Sequence, residues 1–291
     1  MQKTIVFILS ANFSGSHFLS LLLGSHSKAS HLGEVKNLVK IKNTNPELPA
    51  SVESSRQCYI CKNNQECKIT SGLHKLNKNQ IYPTLFSRHD PSITHLIDAS
   101  KKTSWAKHFL ENPNYKLKFI HLVRDPRALV RKWDLHYPNL TKQKIKQFRF
   151  FPSKIPQLFW RPAWQTYSLK WVEKNYEIYK FTKKFHLDSK TITYEELAMN
   201  PESTLSSLMG WLDLDFEKTQ IKYWEHEHHG TQKQKYNSNL EDNRSFVDIR
   251  WKKDISSLEQ EKIISSPNIL QLTSLLDLEI NENGIFQKKL S

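Results

Sequence analysis

The first apolar stretch of the chain, residues 5–23, has the pattern of a strand, a short polar turn and a helix. IVFIL is a continuous apolar run, which is typical of a strand buried on both faces. The turn Ser14-Gly15-Ser16-His17 follows, and Gly24 is placed to end the helix. The free backbone N–H groups in the first turn of such a helix point toward a ligand at the helix N-terminus, where the helix dipole favours an anion. The pattern therefore predicts a phosphate-like ligand, although a strand, turn and helix with one glycine also occurs in folds without a ligand.

Apolar runs and helical periodicity predict that strands and helices alternate along the rest of the chain. In the helix predicted over 163–185, a core-facing stripe consists of Trp164, Tyr167, Trp171 and Ile178. Asn200-Pro201 is typical of a helix start, as N-cap and first-turn proline. The alternation predicts an α/β fold with a central parallel sheet and helices on both faces. The strands are expected over 93–98, 117–123 and 191–194, and the other helices over 104–110, 127–136 and 201–212.

Three polar segments interrupt this pattern. Residues 35–92 are rich in Asn and Lys and hold all three cysteines, and they are interpreted as an insertion with short helices. Residues 137–162 are basic and aromatic with four prolines, which favours a loop or a lid. Residues 226–250 are predicted to be a charged loop that is followed by C-terminal helices.

Composition indicates a packed chain with an anionic partner. The 8 Trp, 10 Tyr and 15 Phe provide ample material for a core, and the net charge is +14. Such a charge favours a nucleotide, a sulfated or phosphorylated glycan, a nucleic acid or a membrane surface, unless it is mainly solvated lysine. No apolar run reaches about 18 residues, so no membrane-spanning helix is expected. The first nine residues are too short for a signal peptide, and we therefore expect a cytoplasmic protein.

Polar residues follow three of the predicted strands. They are Ser14–His17, Asp98-Ala99-Ser100-Lys101 and Arg124-Asp125-Pro126-Arg127. In a parallel sheet these segments converge on one edge, where ligands bind. Two cations beside a glycine turn suit a ligand with two separated phosphates. The alternative for each segment is ordinary loop chemistry, with Asp98 or Asp125 as a helix cap.

These segments together resemble the sulfotransferase family that uses 3′-phosphoadenosine 5′-phosphosulfate (PAPS). Ser14–Phe18 is similar to its phosphosulfate loop, Asp98–Lys101 to its D-S-S-K segment, and Phe119–Ala128 to its 3′-phosphate strand and turn. His26 with Gly33-Glu34, Thr193–Leu197 with Asn200-Pro201-Glu202, His229-Gly230 and Asp248-x-x-Trp251 also resemble family segments. The resemblance covers most of the chain. It implies one P-loop-like sulfotransferase domain over 1–291 that transfers a sulfuryl group from PAPS to an acceptor hydroxyl, with adenosine 3′,5′-bisphosphate as the product.

The resemblance also implies roles for individual residues. Glu34 would be the catalytic base and Lys101 would stabilise the leaving oxygen, while His17 would contact the sulfonate or replace Glu34 as the base. Arg124 would clamp the 3′-phosphate, Lys132 would meet it or point to solvent, and Tyr194 would pack on adenine or be structural. The predicted donor-binding residues are Ser14, Gly15, Ser16, His17, Phe18, Arg124, Lys132, Tyr194 and Gly230.

One position departs from the family pattern. Relatives usually carry Lys or Arg just before the Ser-Gly turn, where this chain has Phe13. One cation is therefore missing, so Lys101, His17 or Arg127 must compensate, or the activity is low.

The three cysteines form a cluster, Cys58-x2-Cys61-x5-Cys67, and His74 follows seven residues later. In a reduced cytoplasm this spacing favours a structural zinc site with Cys58, Cys61, Cys67 and His74 as ligands. A disulfide or unmodified thiols are the alternatives.

Two other functions remain open on the sequence alone. One is a non-catalytic protein that binds a polyanion or nucleotide on a degenerate form of the same fold. Phe13 favours this alternative, because a cation that relatives use is missing there. The other is a P-loop nucleotide kinase, although the turn lacks the G-x-x-x-x-G-K-[ST] pattern. The acceptor is expected to be an anionic glycan, a lipid head group or a small molecule, and a nucleic-acid partner is not expected.

Overall fold

Parallel strands form the central sheet of the computed structural model, which describes residues 2–39, 58, 61, 67–137, 139–147, 160–229 and 247–288. Their order across the sheet is β2-β3-β1-β4-β5, and every neighbouring pair is parallel. This confirms the predicted α/β fold. Strand β2 was not predicted, because it is short and polar at its centre. The five strands are β1 (Thr4–Ser10), β2 (Ala29–Gly33), β3 (His95–Lys101), β4 (Lys116–Val123) and β5 (Ser189–Thr193).

Strand β1 lies in the middle of the sheet and is buried along its whole length. Its side chains alternate between two hydrophobic clusters, as the period of a strand requires. Ile5 and Phe7 pack into one cluster, and Val6 and Ile8 pack into the other. Burial on both faces explains why this strand has a continuous apolar sequence.

Helices cover both faces of this sheet. The α-helices are α1 (Ser16–Gly24), α2 (Val35–Val39), α3 (Lys78–Ser87), α4 (Thr103–Ala106), α5 (Pro126–His136), α6 (Leu140–Gln147), α7 (Ala163–Lys184), α8 (Tyr194–Met199), α9 (Pro201–Trp211), α10 (Trp251–Asp254), α11 (Ser257–Ile264) and α12 (Pro267–Leu275). The cluster around Phe7 includes side chains of α2, α3, α4 and α7, while the cluster around Ile8 includes side chains of α1, α8 and α9. Short 3₁₀-helices span Leu73–Lys75, Lys107–Phe109 and Lys218–Glu225.

The stripe predicted on α7 is confirmed. Tyr167 and Trp171 are fully buried, Ile178 is buried, and Trp164 is partly buried. The first two join a third cluster with α5, α10, α11 and α12. That cluster also includes an antiparallel hairpin, β6 (Leu278–Asn281) and β7 (Gly284–Gln287), where the sequence predicted only helices.

Two of the predicted polar segments are described in part. Within 35–92 the structure contains α2, a 3₁₀-turn and α3, and within 137–162 it contains α6, where the sequence predicted a loop or lid. Residues 40–57, 59–60, 62–66, 138 and 148–159 lie outside the described residues, as do 230–246.

Among the described helices, none combines the length and the apolar composition that a crossing of the bilayer requires.

Candidate active site

A cleft of about 730 Å³ opens at the carboxyl edge of the sheet. It brings together nine of the residues that the sequence singled out, from the ends of all five strands: Gly15, Ser16, His17, Phe18, Glu34, Lys101, Arg124, Lys132 and Tyr194. Ser14 is buried beneath the same turn. Gly230, the remaining predicted donor-binding residue, lies outside the described residues. Six further residues complete the lining: Asn12, Phe13, His136, Tyr137, Asp248 and Arg250.

The N-terminus of α1 forms one end of the cleft. Gly15 is its N-cap with φ 89°, and no side chain caps the helix in the part of the chain that the structure describes. A Cβ atom at Gly15 would lie 2.5 Å from Cδ2 of Tyr194, so only glycine fits here. The Ser14 hydroxyl is buried and has no hydrogen-bond partner among the described residues. Unsatisfied donors at a helix start make an anion site.

Glu34 and Lys101 face each other across the neighbouring strands β2 and β3. Both follow an irregularity in the pairing: β3 shifts against β1 between Asp98 and Lys101, and β2 shifts against β3 between His31 and Gly33. Bulges of this kind re-aim side chains at a sheet edge. Lys101 and Gly33 have positive φ angles of 64° and 68°. The Lys101 ammonium forms an ion pair with Glu34 Oε1, and Asn37 donates a hydrogen bond of 2.9 Å to Oε2.

Asp98 lies inside β3, which continues to Lys101, whereas the sequence predicted that this strand ends at Asp98. Its buried carboxylate accepts hydrogen bonds from the Tyr82 hydroxyl at 2.6 Å, the Trp105 indole at 2.8 Å and the Ser100 amide at 2.7 Å. Burial raises the pKa of Asp98, and these hydrogen bonds partly offset the rise. Asp98 thus supports the bulge that carries Lys101.

His17 is neutral at physiological pH. Burial, with help from the charge of Lys101, lowers its pKa to about 4. Both ring nitrogens are shielded from solvent and lack a hydrogen-bond partner within the described ranges. The ring packs edge-on against His31 at 5.3 Å, and His31 packs against His228 at 5.6 Å. A neutral imidazole can accept a proton but does not supply the cation that Phe13 fails to provide.

Arg124 dominates the other end of the cleft. It donates to the Phe13 carbonyl at 2.8 Å, and its guanidinium lies 4.2 Å from the centre of the Tyr194 ring. Its Nη2 forms an ion pair of 3.0 Å with Asp248, which also accepts two hydrogen bonds from Arg250. The buried Nε of Arg124 has no hydrogen-bond partner among the residues described.

The charges at this end of the cleft favour a dianion. Burial raises the pKa of Asp248, but hydrogen bonds from Arg250 and the charge of Arg124 outweigh it and hold the pKa well below its usual range. Lys132 lines the same region, where burial and the charge of Arg250 lower its pKa. The net charge here is +2, from the three cations Arg124, Lys132 and Arg250 and the carboxylate of Asp248. This charge balances the two negative charges of a phosphate monoester.

Asp125 and Arg127 are structural. Asp125 is the N-cap of α5, where it accepts a hydrogen bond of 2.7 Å from the Arg127 amide. The buried Arg127 side chain pairs with Asp125 and lies 3.9 Å from the Trp251 ring centre. Since Arg127 does not line the cleft, it cannot replace the cation missing at Phe13.

Phe13 itself forms part of the cleft wall. It has φ 71°, and its ring packs against His136 at 4.9 Å and Tyr137 at 6.5 Å. An aromatic surface therefore stands where the family pattern has a cation.

The three cysteines gather away from this cleft, with a histidine different from the predicted one. Cys58, Cys61, Cys67 and His229 have donor atoms that all lie within 4.8 Å of one another. His74 lies on the 3₁₀-helix Leu73–Lys75 and is not a member of the group. His74 is close to the cysteines in sequence only, whereas the fold brings His229 to them from a distant segment.

Several residues at the site have only a weak signal in the sequence. The motif Asp248-x-x-Trp251 indicates no role for Asp248 or for Arg250. The alternation of an acid and a base two residues apart is common on solvated loops. His31 lies on the unpredicted strand β2, and His228 lies in a polar loop. Only the packing brings these residues to the site.

Comparisons with known proteins find a matching family model and solved structures with a similar fold. The model of the family described as "Sulfotransferase family" matches residues 6–218. The sulfotransferase domain from the curacin biosynthetic pathway has a similar fold, with a TM-score of 0.60 and 19% identity, over 96% of this chain and 99% of that one. The sulfotransferase domain from the Synechococcus PCC 7002 olefin synthase has a TM-score of 0.52 and 16% identity, over 97% and 98% of the two chains. No curated protein sequence matches this chain significantly.

Proposed function

This chain belongs to the sulfotransferase family, and on that premise we propose that it transfers a sulfuryl group from PAPS to an acceptor hydroxyl. One observation carries the proposal: a single cleft combines the uncapped start of α1, the Lys101–Glu34 pair and the Arg124 cluster. These are the groups that a donor with two anionic ends and a transferable sulfuryl group requires.

The two ends of the cleft differ in a way that fits the two ends of PAPS. The turn at Gly15 and the buried Ser14 hydroxyl offer hydrogen-bond donors for the phosphosulfate. The other end has a net charge of +2 for the 3′-phosphate, the sum of Arg124, Lys132, Arg250 and the negative Asp248. The buried Arg124 Nε, which has no hydrogen-bond partner among the described residues, is a further donor on that side.

In the proposed reaction an acceptor oxygen bonds to sulfur while the bond from sulfur to the phosphate oxygen breaks. The leaving product is adenosine 3′,5′-bisphosphate, and the acceptor proton must go to a base. Lys101 supplies a cation for the leaving oxygen, and the α1 N-terminus stabilises the negative charge beside it. Because Lys101 and Glu34 are mostly buried, with 11% and 18% of their side chains exposed, water weakens these interactions little.

Glu34 is the proposed base. Its Oε1 is paired with the Lys101 ammonium. When bound PAPS draws Lys101 toward the leaving oxygen, Oε1 is released and can take the proton from the hydroxyl group of the acceptor. His17 is the alternative, since it lines the same cleft and its pKa of about 4 keeps it neutral. Either residue gives proton transfer without an added metal.

Transfer of radiolabel from ³⁵S-labelled PAPS tests this proposal. We expect labelled product with at least one member of a panel of hydroxyl-bearing glycans, lipid head groups and small molecules. Lys101→Met should abolish it, whereas Lys102→Met, at the neighbouring lysine outside the cleft, should not.

Two results would contradict the proposal. Tight binding of adenosine 3′,5′-bisphosphate without release or transfer of label would indicate a non-catalytic nucleotide binder. A larger thermal stabilisation by ATP with magnesium than by adenosine 3′,5′-bisphosphate would indicate a kinase.

A further inference from the structure

We propose that Cys58, Cys61, Cys67 and His229 bind one zinc ion, which joins the cysteine-containing insertion to the segment that follows the 3₁₀-helix Lys218–Glu225. Three thiolates and one imidazole form a tetrahedral ligand set that zinc prefers. The site stands apart from the cleft, so it does not depend on the proposed function.

The distances between donor atoms fit such an ion. The sulfurs of Cys58, Cys61 and Cys67 lie 3.5, 3.5 and 3.6 Å from Nδ1 of His229. Zinc bonds of about 2.3 Å to sulfur and about 2.05 Å to nitrogen, at a tetrahedral angle, place the two ligand atoms about 3.6 Å apart. All three sulfurs therefore surround one nitrogen at the separation that a shared ion imposes. The structure describes all three cysteines, and none of them forms a disulfide.

The surroundings of the ligands are those of a structural metal site. The other ring nitrogen of His229, Nε2, lies 2.6 Å from a carboxylate oxygen of Glu227. Metal-binding histidines commonly direct their second nitrogen at a carboxylate, which fixes the ring orientation. The Thr70 amide donates to the sulfur of Cys67 at 3.4 Å. Four protein ligands, two of them fully buried cysteines, leave no position for a substrate and indicate a structural role.

The proposed ion has a clear mechanical consequence. Cys67 and His229 are 162 residues apart, so the ion links two distant parts of the chain. The residue before His229 packs on the main domain: His228 lies 3.2 Å from the Ser25 hydroxyl at the end of α1, and its ring contacts His31. The ion would therefore fix the insertion beside α1, which lines the cleft, and beside β2, which leads directly into Glu34.

Metal content and cobalt spectroscopy of the full chain test the proposal. We expect one equivalent of zinc in the purified protein by elemental analysis. Replacing zinc with Co²⁺ should give the strong visible absorption of tetrahedral cobalt together with thiolate charge-transfer bands. His229→Ala and Cys67→Ser should each lose the zinc and these bands. His74→Ala is the matched control, and it should keep both.

Zinc retention with an unchanged cobalt spectrum in His229→Ala would overturn the assignment of the fourth ligand. A wild-type protein without zinc that also fails to take up Co²⁺ under reducing conditions would overturn the site. If His229→Ala does not fold, His229→Cys decides the matter. That variant should bind one zinc through four thiolates and show stronger thiolate bands with cobalt, and failure to bind would contradict the proposal.

Discussion

Arg124 and Asp248 form an ion pair in which Nη2 lies 3.0 Å from Oδ2, at the end of the cleft proposed to hold the 3′-phosphate. The same carboxylate accepts hydrogen bonds from Arg250 at 2.6 and 2.7 Å. One acidic side chain thus engages two guanidinium groups, and a phosphate that binds there must share them with Asp248 or displace it.

Asp248→Asn should strengthen the binding of adenosine 3′,5′-bisphosphate. The change removes one negative charge near the expected dianion, and we expect an affinity about 3- to 10-fold higher at low salt, less at high salt. Isothermal titration calorimetry measures this. Asp254→Asn, which removes the partner of Arg131 outside the cleft, serves as the control. Weaker binding by Asp248→Asn would instead assign the carboxylate to the positioning of both arginines.

Arg124→Ala should weaken binding of the same product by roughly 2–4 kcal/mol, the scale of a lost charge-assisted bidentate partner. The control is Arg131→Ala. Arg131 lies on α5, the helix that begins just after Arg124, but it does not line the cleft. Calorimetry gives the affinities, and circular dichroism checks that both variants are folded. An unchanged affinity in Arg124→Ala would refute the 3′-phosphate assignment.

Glu34→Gln should lower kcat by about 100-fold or more with little change in donor affinity, because it removes the base but keeps the shape of the side chain. Steady-state rates at saturating PAPS and calorimetric affinities separate the two effects. If His17→Ala produces this fall and Glu34→Gln does not, the proton goes to His17.

Gly15→Ala should destabilise the fold and impair donor binding. The φ of 89° disfavours alanine, and the new Cβ would lie 2.5 Å from the Tyr194 ring. Gly72→Ala is a matched control, since Gly72 has φ 67° but nothing within 4 Å of its Cβ position. Chemical denaturation should show a loss of about 1–2 kcal/mol for Gly72→Ala and a larger loss for Gly15→Ala. Equal losses would show that the contact with Tyr194 costs nothing.

Glu195 should make the stability depend on pH. Burial, together with the charge of Asp125, raises the pKa of Glu195 from 4.5 to about 8. Between these values the folded chain holds a proton that the unfolded chain has released, so stability falls as the pH rises through this range. Glu195→Gln does not titrate, and its Tm should fall less than that of the wild type from about pH 5 to about pH 8. Glu202→Gln, at an exposed position of α9, should behave like the wild type.

The sequence predicted the parts of the fold that have strong local patterns. Strands β1 and β4 were recognisable because burial on both faces requires continuous apolar runs, and Arg124 stood out as a cation directly after such a run. Strand β2, with sequence ASHLG, has no such signal, and its pairing with β3 alone defines it. His229 joins the cysteines only through the tertiary fold, which no spacing rule within the insertion could anticipate. The predicted strand ends at Asp98 because no sequence pattern indicates the bulge, through which β3 continues to Lys101.

The order of strands across the sheet also bears on how the chain folds during synthesis. Thr4 of the central strand pairs with His95 and Lys116, and β2 pairs only with β3. Among the strands of this sheet that the structure describes, no pair can form until the ribosome has made β3. The apolar β1 is made first of these five strands and therefore stays unpaired for the longest time. Non-local pairing of this kind slows folding and exposes apolar strands to aggregation. Slower synthesis at low temperature should therefore raise the yield of folded protein.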